Sequence, residues 1–115
     1  MFNRADVELV DDIREAIQRI SSYLEDMSYE DFMDDAKTQD AVIRNIEIIG
    51  EAAKGISEHL RDQNAHIPWR NMARMRDRLI HHYFGVNLDV VWQVVSMELP
   101  GLVSELAKIT DEGAV

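Results

Sequence analysis

The sequence predicts an all-α, up-and-down bundle of four to five main helices, forming one domain over residues 1–115. Three observations carry that expectation. Apolar residues recur every three or four positions along most of the chain. No run of alternating β-branched residues marks a strand. Both prolines, Pro68 and Pro100, stand where helices should start. A length of 115 residues suits one domain, and a 46% hydrophobic content can bury a core without disulfide or metal staples. There is no internal repeat and no low-complexity linker.

The first helix is expected from Ala5 to Met27, with Leu9, Ile13, Ile17, Ile20 and Leu24 as its buried stripe. Ser28, with Asp31 three residues on, reads as the cap of a short helix through Met33, which Asp34 and Asp35 end. A second long helix is expected from Gln39 to Leu60, capped by Thr38. Val42, Ile46, Ile49, Ala53 and Ile56 lie on its apolar arc, and Arg44, Glu47, Glu51 and Lys54 on the opposite face. Gly50 and Gly55 each cost this helix about 1 kcal/mol, which close approach of another helix would offset. Arg61 to Ile67 reads as a polar loop. A third helix is expected from Pro68 to Phe84, stopped by Gly85. A fourth starts near Leu88 and turns Val91, Trp92, Val95 and Leu99 inward. Pro100 kinks it or starts a last helix through Leu102, Leu106 and Ile109.

Composition narrows the function. The chain has no cysteine, which excludes disulfides, thiolate zinc sites and cysteine nucleophiles and suits a reducing cytoplasm. Met1 to Val10 has no apolar run of signal-peptide length, and no window approaches a membrane span, so a cytoplasmic location is expected. The net charge of −10 argues against broad, non-specific nucleic-acid binding. That charge is uneven: residues 1–40 hold 12 Asp/Glu against 4 Lys/Arg, and residues 41–115 hold 10 against 8. Four of the 12 basic residues are arginines between Arg70 and Arg78, so an anion site belongs there.

On a helical wheel, Trp69, Met72, Ala73, Leu79, Ile80 and Tyr83 gather on one face of the third helix. Arg70, Arg74, Arg78 and His81 gather on the other. A guanidinium donates two parallel hydrogen bonds, which suits phosphate, so Arg74 and Arg78 are candidate substrate-binding residues. The plainer reading is a solvated row that pairs with the acidic first helix. Arg76 falls inside the apolar arc, where a charge is costly unless paired or used; Glu47 or Glu51 is a possible internal partner. Asp77 precedes His81 by one turn, where it would orient the imidazole and raise its pKa for general acid–base work.

The run Arg76-Asp77-Arg78-Leu79-Ile80-His81-His82-Tyr83 fits the pattern R-x4-H-x-Y and resembles the signature of HepT proteins, the toxin branch of the HEPN superfamily. The segments RNIEIIGEA (44–52), IPWR (67–70), FGVNLDVV with Trp92 (84–92) and LPGL (99–102) resemble that family's recurring blocks, and the likeness spans residues 5–107. A bare R-x4-H is weak; the motif with its tyrosine, the following F-G turn and the upstream helix together are specific. The resemblance implies a homodimeric bundle that cleaves RNA without metal or other cofactor. It implies a partner antitoxin, an MNT-type minimal nucleotidyltransferase, which neutralises the toxin by adenylylating the motif tyrosine, here Tyr83. Arg76 and His81 would be catalytic, with Asp77, Arg44 and Glu51 in support.

Arg76 and His81, five residues apart, stand about 140° apart on a straight helix, so two copies facing across a two-fold axis would be needed to complete one site. His81 would serve as general base or acid on the ribose 2′-hydroxyl and the leaving oxygen, Arg76 would stabilise the phosphorane-like transition state, and the product would carry a cyclic phosphate. Tyr83, nearly back on the Arg76 face, would sit beside the phosphate. No compact metal-ligand cluster is expected, since His59 and His66 are separated by seven positions across a loop. Two rivals stand beside this reading: a non-catalytic nucleotide-binding or docking partner of a nucleotidyltransferase, and a structural helical dimer with Arg76 in an interchain ion pair.

Overall fold

A computed structural model describes residues 3–80 and 85–113, with side chains described through Ile109. The architecture is the expected all-α bundle, and no named strand occurs among the described residues. Helix α1 (Arg4–Tyr23) is capped by Asn3, whose side chain accepts the Asp6 amide at 2.7 Å. It buries Val10, Ile13, Ala16, Ile17 and Ile20 on one stripe, with Leu9 and Leu24 half-buried at its edges. It ends four residues earlier than expected, in a turn that takes Asp26 to φ 60°.

Helix α2 (Tyr29–Met33) starts at Ser28 with the reciprocal capping box the sequence suggested: Asp31 N donates to Ser28 Oγ, and Ser28 N donates to the Asp31 carboxylate. Its Phe32 is fully buried. Helix α3 (Ala36–Gly55) begins earlier than expected, because Asp35 and not Thr38 is its cap; the Thr38 amide donates to Asp35 at 3.0 Å. Both the amide and the hydroxyl of Thr38 bond the Asp35 carboxylate, and they hold its pKa below the ordinary aspartate value. Val42, Ile46, Ile49, Ala53 and Ile56 are buried, as the periodicity indicated.

Two breaks depart from the sequence reading. The expected helix through Leu60 stops at Gly55, Ile56 is extended, and Ser57 caps a separate helix α4 (Glu58–Gln63). Tertiary bonds impose the break. The Ser57 amide and hydroxyl both donate to the buried carboxylate of Asp6, and Arg61 reaches back to the Ile56 carbonyl at 2.7 Å. The close approach expected at the two glycines is present. A Cβ on Gly50 would lie 3.5 Å from the carbonyl oxygens of Met72 and Ala73, and one on Gly55 would lie 3.0 Å from Leu9.

The third expected helix is two short helices, α5 (Trp69–Ala73) and α6 (Met75–Leu79), joined through a turn at Arg74. It does not reach Phe84: Ile80 is already extended. Helix α7 (Leu88–Gln93), capped by Asn87, continues without a gap through a π turn (Val94–Glu98) into α8 (Leu99–Gly113). Pro100 thus stands in the first turn of α8, the last helix that the sequence led one to expect there. Its missing N–H and its ring, which would collide with the carbonyl four residues back, are accommodated by the wider turn just before it. The core lies between α1, α3, α5–α6 and α7–α8, the four main members of the bundle. No helix among the described residues is long and apolar enough to cross a membrane.

Candidate active site

The arginine row sits on α5–α6, pressed against α3. Trp69, Met72, Met75 and Leu79 are buried beneath it, and the Trp69 indole donates to the Asn64 carbonyl at 3.1 Å. Met75, three residues after Met72 and four before Leu79, takes a core position with them. Arg76 is exposed, off the apolar arc on which the sequence placed it. It pairs with neither Glu47 nor Glu51. Those carboxylates meet Arg44 at 3.9 Å and Lys54 at 3.6 Å along α3 itself. Ile80, expected on the buried face, is 47% exposed because the helix has ended and its backbone is extended.

Arg70, Arg74 and Arg76 are exposed and make no ion pair among the described residues, and none of the row pairs with the acidic α1. Arg78 differs. Its two terminal nitrogens each lie 2.8 Å from one oxygen of Glu98, a bidentate pair across to the π turn. That hydrogen-bonded pair holds the Glu98 carboxyl below its ordinary value and the Arg78 guanidinium above its own. Asp77 is exposed beside them. Arg44 and Glu51 stay on the outer face of α3, each paired with its own helix neighbour.

Beyond Leu79 the chain is fastened at a neck. Ile80 and Val86 form an antiparallel bridge, the Asn87 amide donates to the Leu79 carbonyl at 2.7 Å, and Gly85 takes φ 77°. Asn87 then caps α7 by accepting the amides of Asp89 and Val90. His81, His82 and Tyr83 lie outside the described residues. An extended Ile80 removes the straight helix on which the 140° separation of Arg76 and His81, and the return of Tyr83 to the Arg76 face, were reckoned. The structure thus brings Arg74, Arg76, Asp77 and Arg78 together at the entrance to the neck, and leaves Arg44 and Glu51 elsewhere. His66 pairs with Glu105 of α8 at 2.8 Å, and no three His, Asp or Glu gather into a metal-ligand group among the described residues.

Glu98 escaped the sequence reading, although it left a signal. It falls seven residues after Val91 and four after Val94, a carboxylate on an otherwise apolar arc.

A helical bundle that presents an arginine row, three of its four members without an ion pair among the described residues, just before the H-x-Y end of the motif fits a protein that handles a phosphate-bearing substrate. The comparisons with known proteins are more specific. The family model Ribonuclease HepT-like matches residues 13–109. A protein of Thermococcus cleftensis named "Probable ribonuclease HepT" is 46% identical over 108 residues, covering 94% of this chain and 98% of that one. A Methanocaldococcus jannaschii protein named "Putative RNase MJ0127" is 43% identical over 98 residues, 85% of this chain and 81% of that one. No solved structure matches. The chain belongs to the ribonuclease HepT-like family.

Proposed function

We propose that this chain is a metal-independent endoribonuclease, the toxin of a HEPN/MNT toxin–antitoxin pair, acting in the cytoplasm as a homodimer. The observation that carries the reading is the exposed, unpaired row Arg70, Arg74 and Arg76, set directly before His81 on a protein of net charge −10. Membership in a ribonuclease family supports RNA as the substrate.

In this mechanism one His81 takes the proton of a ribose 2′-hydroxyl. The freed oxygen attacks the adjacent phosphorus, the bond to the 5′-oxygen breaks, and an imidazolium returns a proton to that leaving oxygen. The products are a 2′,3′-cyclic phosphate end and a 5′-hydroxyl end. Arg76 neutralises charge building on the non-bridging oxygens, where a preorganised cation contributes most. Arg74 and Arg70 track the backbone on either side. Two copies would supply one imidazole as base and one as acid, a role for the dimer that does not depend on a straight motif helix. Asp77 orients His81. A nucleotidyltransferase partner silences the site by adding AMP to Tyr83, placing a bulky anion where the substrate phosphate binds.

The test is cleavage of total RNA and tRNA by purified protein in excess EDTA. Cleavage that survives EDTA and disappears in both Arg76→Ala and His81→Ala supports the mechanism. Cleavage abolished by EDTA removes it, and a protein that binds nucleotide but cuts nothing is the docking partner of the rival reading. Co-expression with an MNT-type nucleotidyltransferase, followed by mass spectrometry of the Tyr83 peptide, tests the regulatory half.

A further inference from the structure

The π turn between α7 and α8 has a consequence for the motif. In an α-helix with 3.6 residues per turn, position 98 would stand over Val91 and Val94, both fully buried. A carboxylate there would face the core. The Leu99 amide instead bonds the Val94 carbonyl five residues back. The extra residue in that turn lets Leu99, 2% exposed, take the core position. Glu98 is rotated to the edge of the bundle, where its side chain keeps 35% of its accessibility. At that edge it meets Arg78.

We propose that Glu98 is a positioning residue for the ribonuclease motif: aimed by the π turn, it clamps Arg78 and so fixes the end of α6 from which the motif chain departs. The inference rests on the ribonuclease reading above. Three ties converge within a few residues: the two 2.8 Å bonds from Arg78 to Glu98, the 2.7 Å bond from Asn87 N to Leu79 O, and the Ile80–Val86 bridge. Met75 and Leu79 anchor α6 from below, and the Arg78–Glu98 pair ties its outer side. A planar fork bonded at both nitrogens fixes orientation as well as distance. Arg78 thereby has its charge and its best donors committed to the protein. It holds the scaffold, while Arg74 and Arg76 face RNA. Single π turns inside α-helices are frequent at functional sites.

The two roles for Arg78 give opposite results in the full-length protein. If the pair positions the motif, Glu98→Gln and Arg78→Ala each lower kcat about tenfold and leave KM for RNA within about twofold. The double variant is then no worse than either single one, because both remove the same tie. The exchanged pair Arg78→Glu with Glu98→Arg recovers part of the rate. If Arg78 grips RNA and Glu98 merely masks it, Arg78→Ala raises KM while Glu98→Gln lowers it, and the proposal is overturned. A second readout needs no activity. Hydrogen exchange at the Asn87 amide should quicken about tenfold in Glu98→Gln, since its bond to Leu79 closes the same neck. Unchanged protection at Asn87 overturns the clamp. Should the wild-type protein cut no RNA, the ribonuclease reading fails, while the exchange measurement still judges the clamp.

Discussion

Asp6 and Ser57, 51 positions apart in the chain, form a two-bond clasp: Ser57 N donates to Oδ1 at 2.8 Å and Ser57 Oγ to Oδ2 at 2.5 Å. Asp6 is 1% exposed, so the first turn of α1 is tied to the joint between α3 and α4 by a buried carboxylate. The same Ser57 oxygen accepts the Leu60 amide and caps α4.

Asp6→Ala removes the buried acceptor and strands the half-buried amide and hydroxyl of Ser57. We expect a loss of about 3 kcal/mol in unfolding free energy, since an unmet donor costs more than a net hydrogen bond contributes. Asp6→Asn retains an acceptor for Ser57 N and should lose less. A urea midpoint unchanged in Asp6→Ala would refute the clasp.

Gly50 gives a graded test of the approach of α5 to α3. An added Cβ sits at ordinary contact distance, 3.5 Å, from the carbonyls of Met72 and Ala73. Gly50→Ala should therefore be neutral or up to about 1 kcal/mol stabilising, because alanine is the better helix former. Gly50→Leu cannot fit without displacing α5, and should cost about 1–3 kcal/mol by overpacking. Thermal melts of the two variants moving in the same direction would contradict this geometry.

The helices that announced themselves in the sequence are those whose apolar period persists. Val42 through Ile56 and Val91 through Ile109 are buried as periodicity requires, and the Ser28 capping box is a purely local pattern. Some of what stayed hidden depends on partners far away in the chain. Gly55 and Ser57 are local stop and start signals that the apolar period running on through Ile56 and Leu60 overrode, and the bond from Ser57 to Asp6 that reinforces the break comes from the other end of the fold. Nothing local showed that α6 ends at Leu79, so a wheel run on as one straight helix carried Ile80 inward, and it centred the apolar arc on Arg76 where Met75 is the buried residue. The arginine row was legible as a cluster. Its division into one clamped and three unpaired members was not, because Glu98 acts from 20 positions downstream, through a π turn that no local pattern announces.

The Arg78–Glu98 pair predicts a pH signature. The Glu98 carboxyl is held below its ordinary value of 4.5 in the folded protein, chiefly by the bonds from Arg78. A depressed folded pKa contributes stability above the unfolded value, and that contribution is lost as pH falls through the folded value. Wild type should therefore be more stable than Glu98→Gln near neutral pH. The gap should close as pH drops below about 4.5 and on through the lower folded value. Urea melts of both proteins between pH 7 and pH 3 measure this. A gap that stays constant across the range would mean that the charge on Glu98 contributes nothing.

The unpaired arginines make the last prediction. Arg76 is exposed and makes no ion pair among the described residues, so Arg76→Ala should leave the melting temperature nearly unchanged, as surface substitutions do. Its loss should fall on catalysis, lowering kcat about 10²- to 10³-fold if it stabilises transition-state charge. Arg74, equally exposed, should act on binding instead. Each cation that neutralises a single-strand phosphate contributes about 0.7 to the slope of log affinity against log salt. Arg74→Ala should reduce that slope by about 0.7 and weaken binding similarly across RNA sequences. Arg78→Ala should leave the slope unchanged, because that guanidinium is already spent on Glu98. Fluorescence anisotropy of labelled RNA at several salt concentrations, with an inactive His81→Ala background to prevent cleavage, separates the three arginines. Equal slope changes for Arg74 and Arg78 would show that the row acts on RNA as one unit, against the division drawn from the structure.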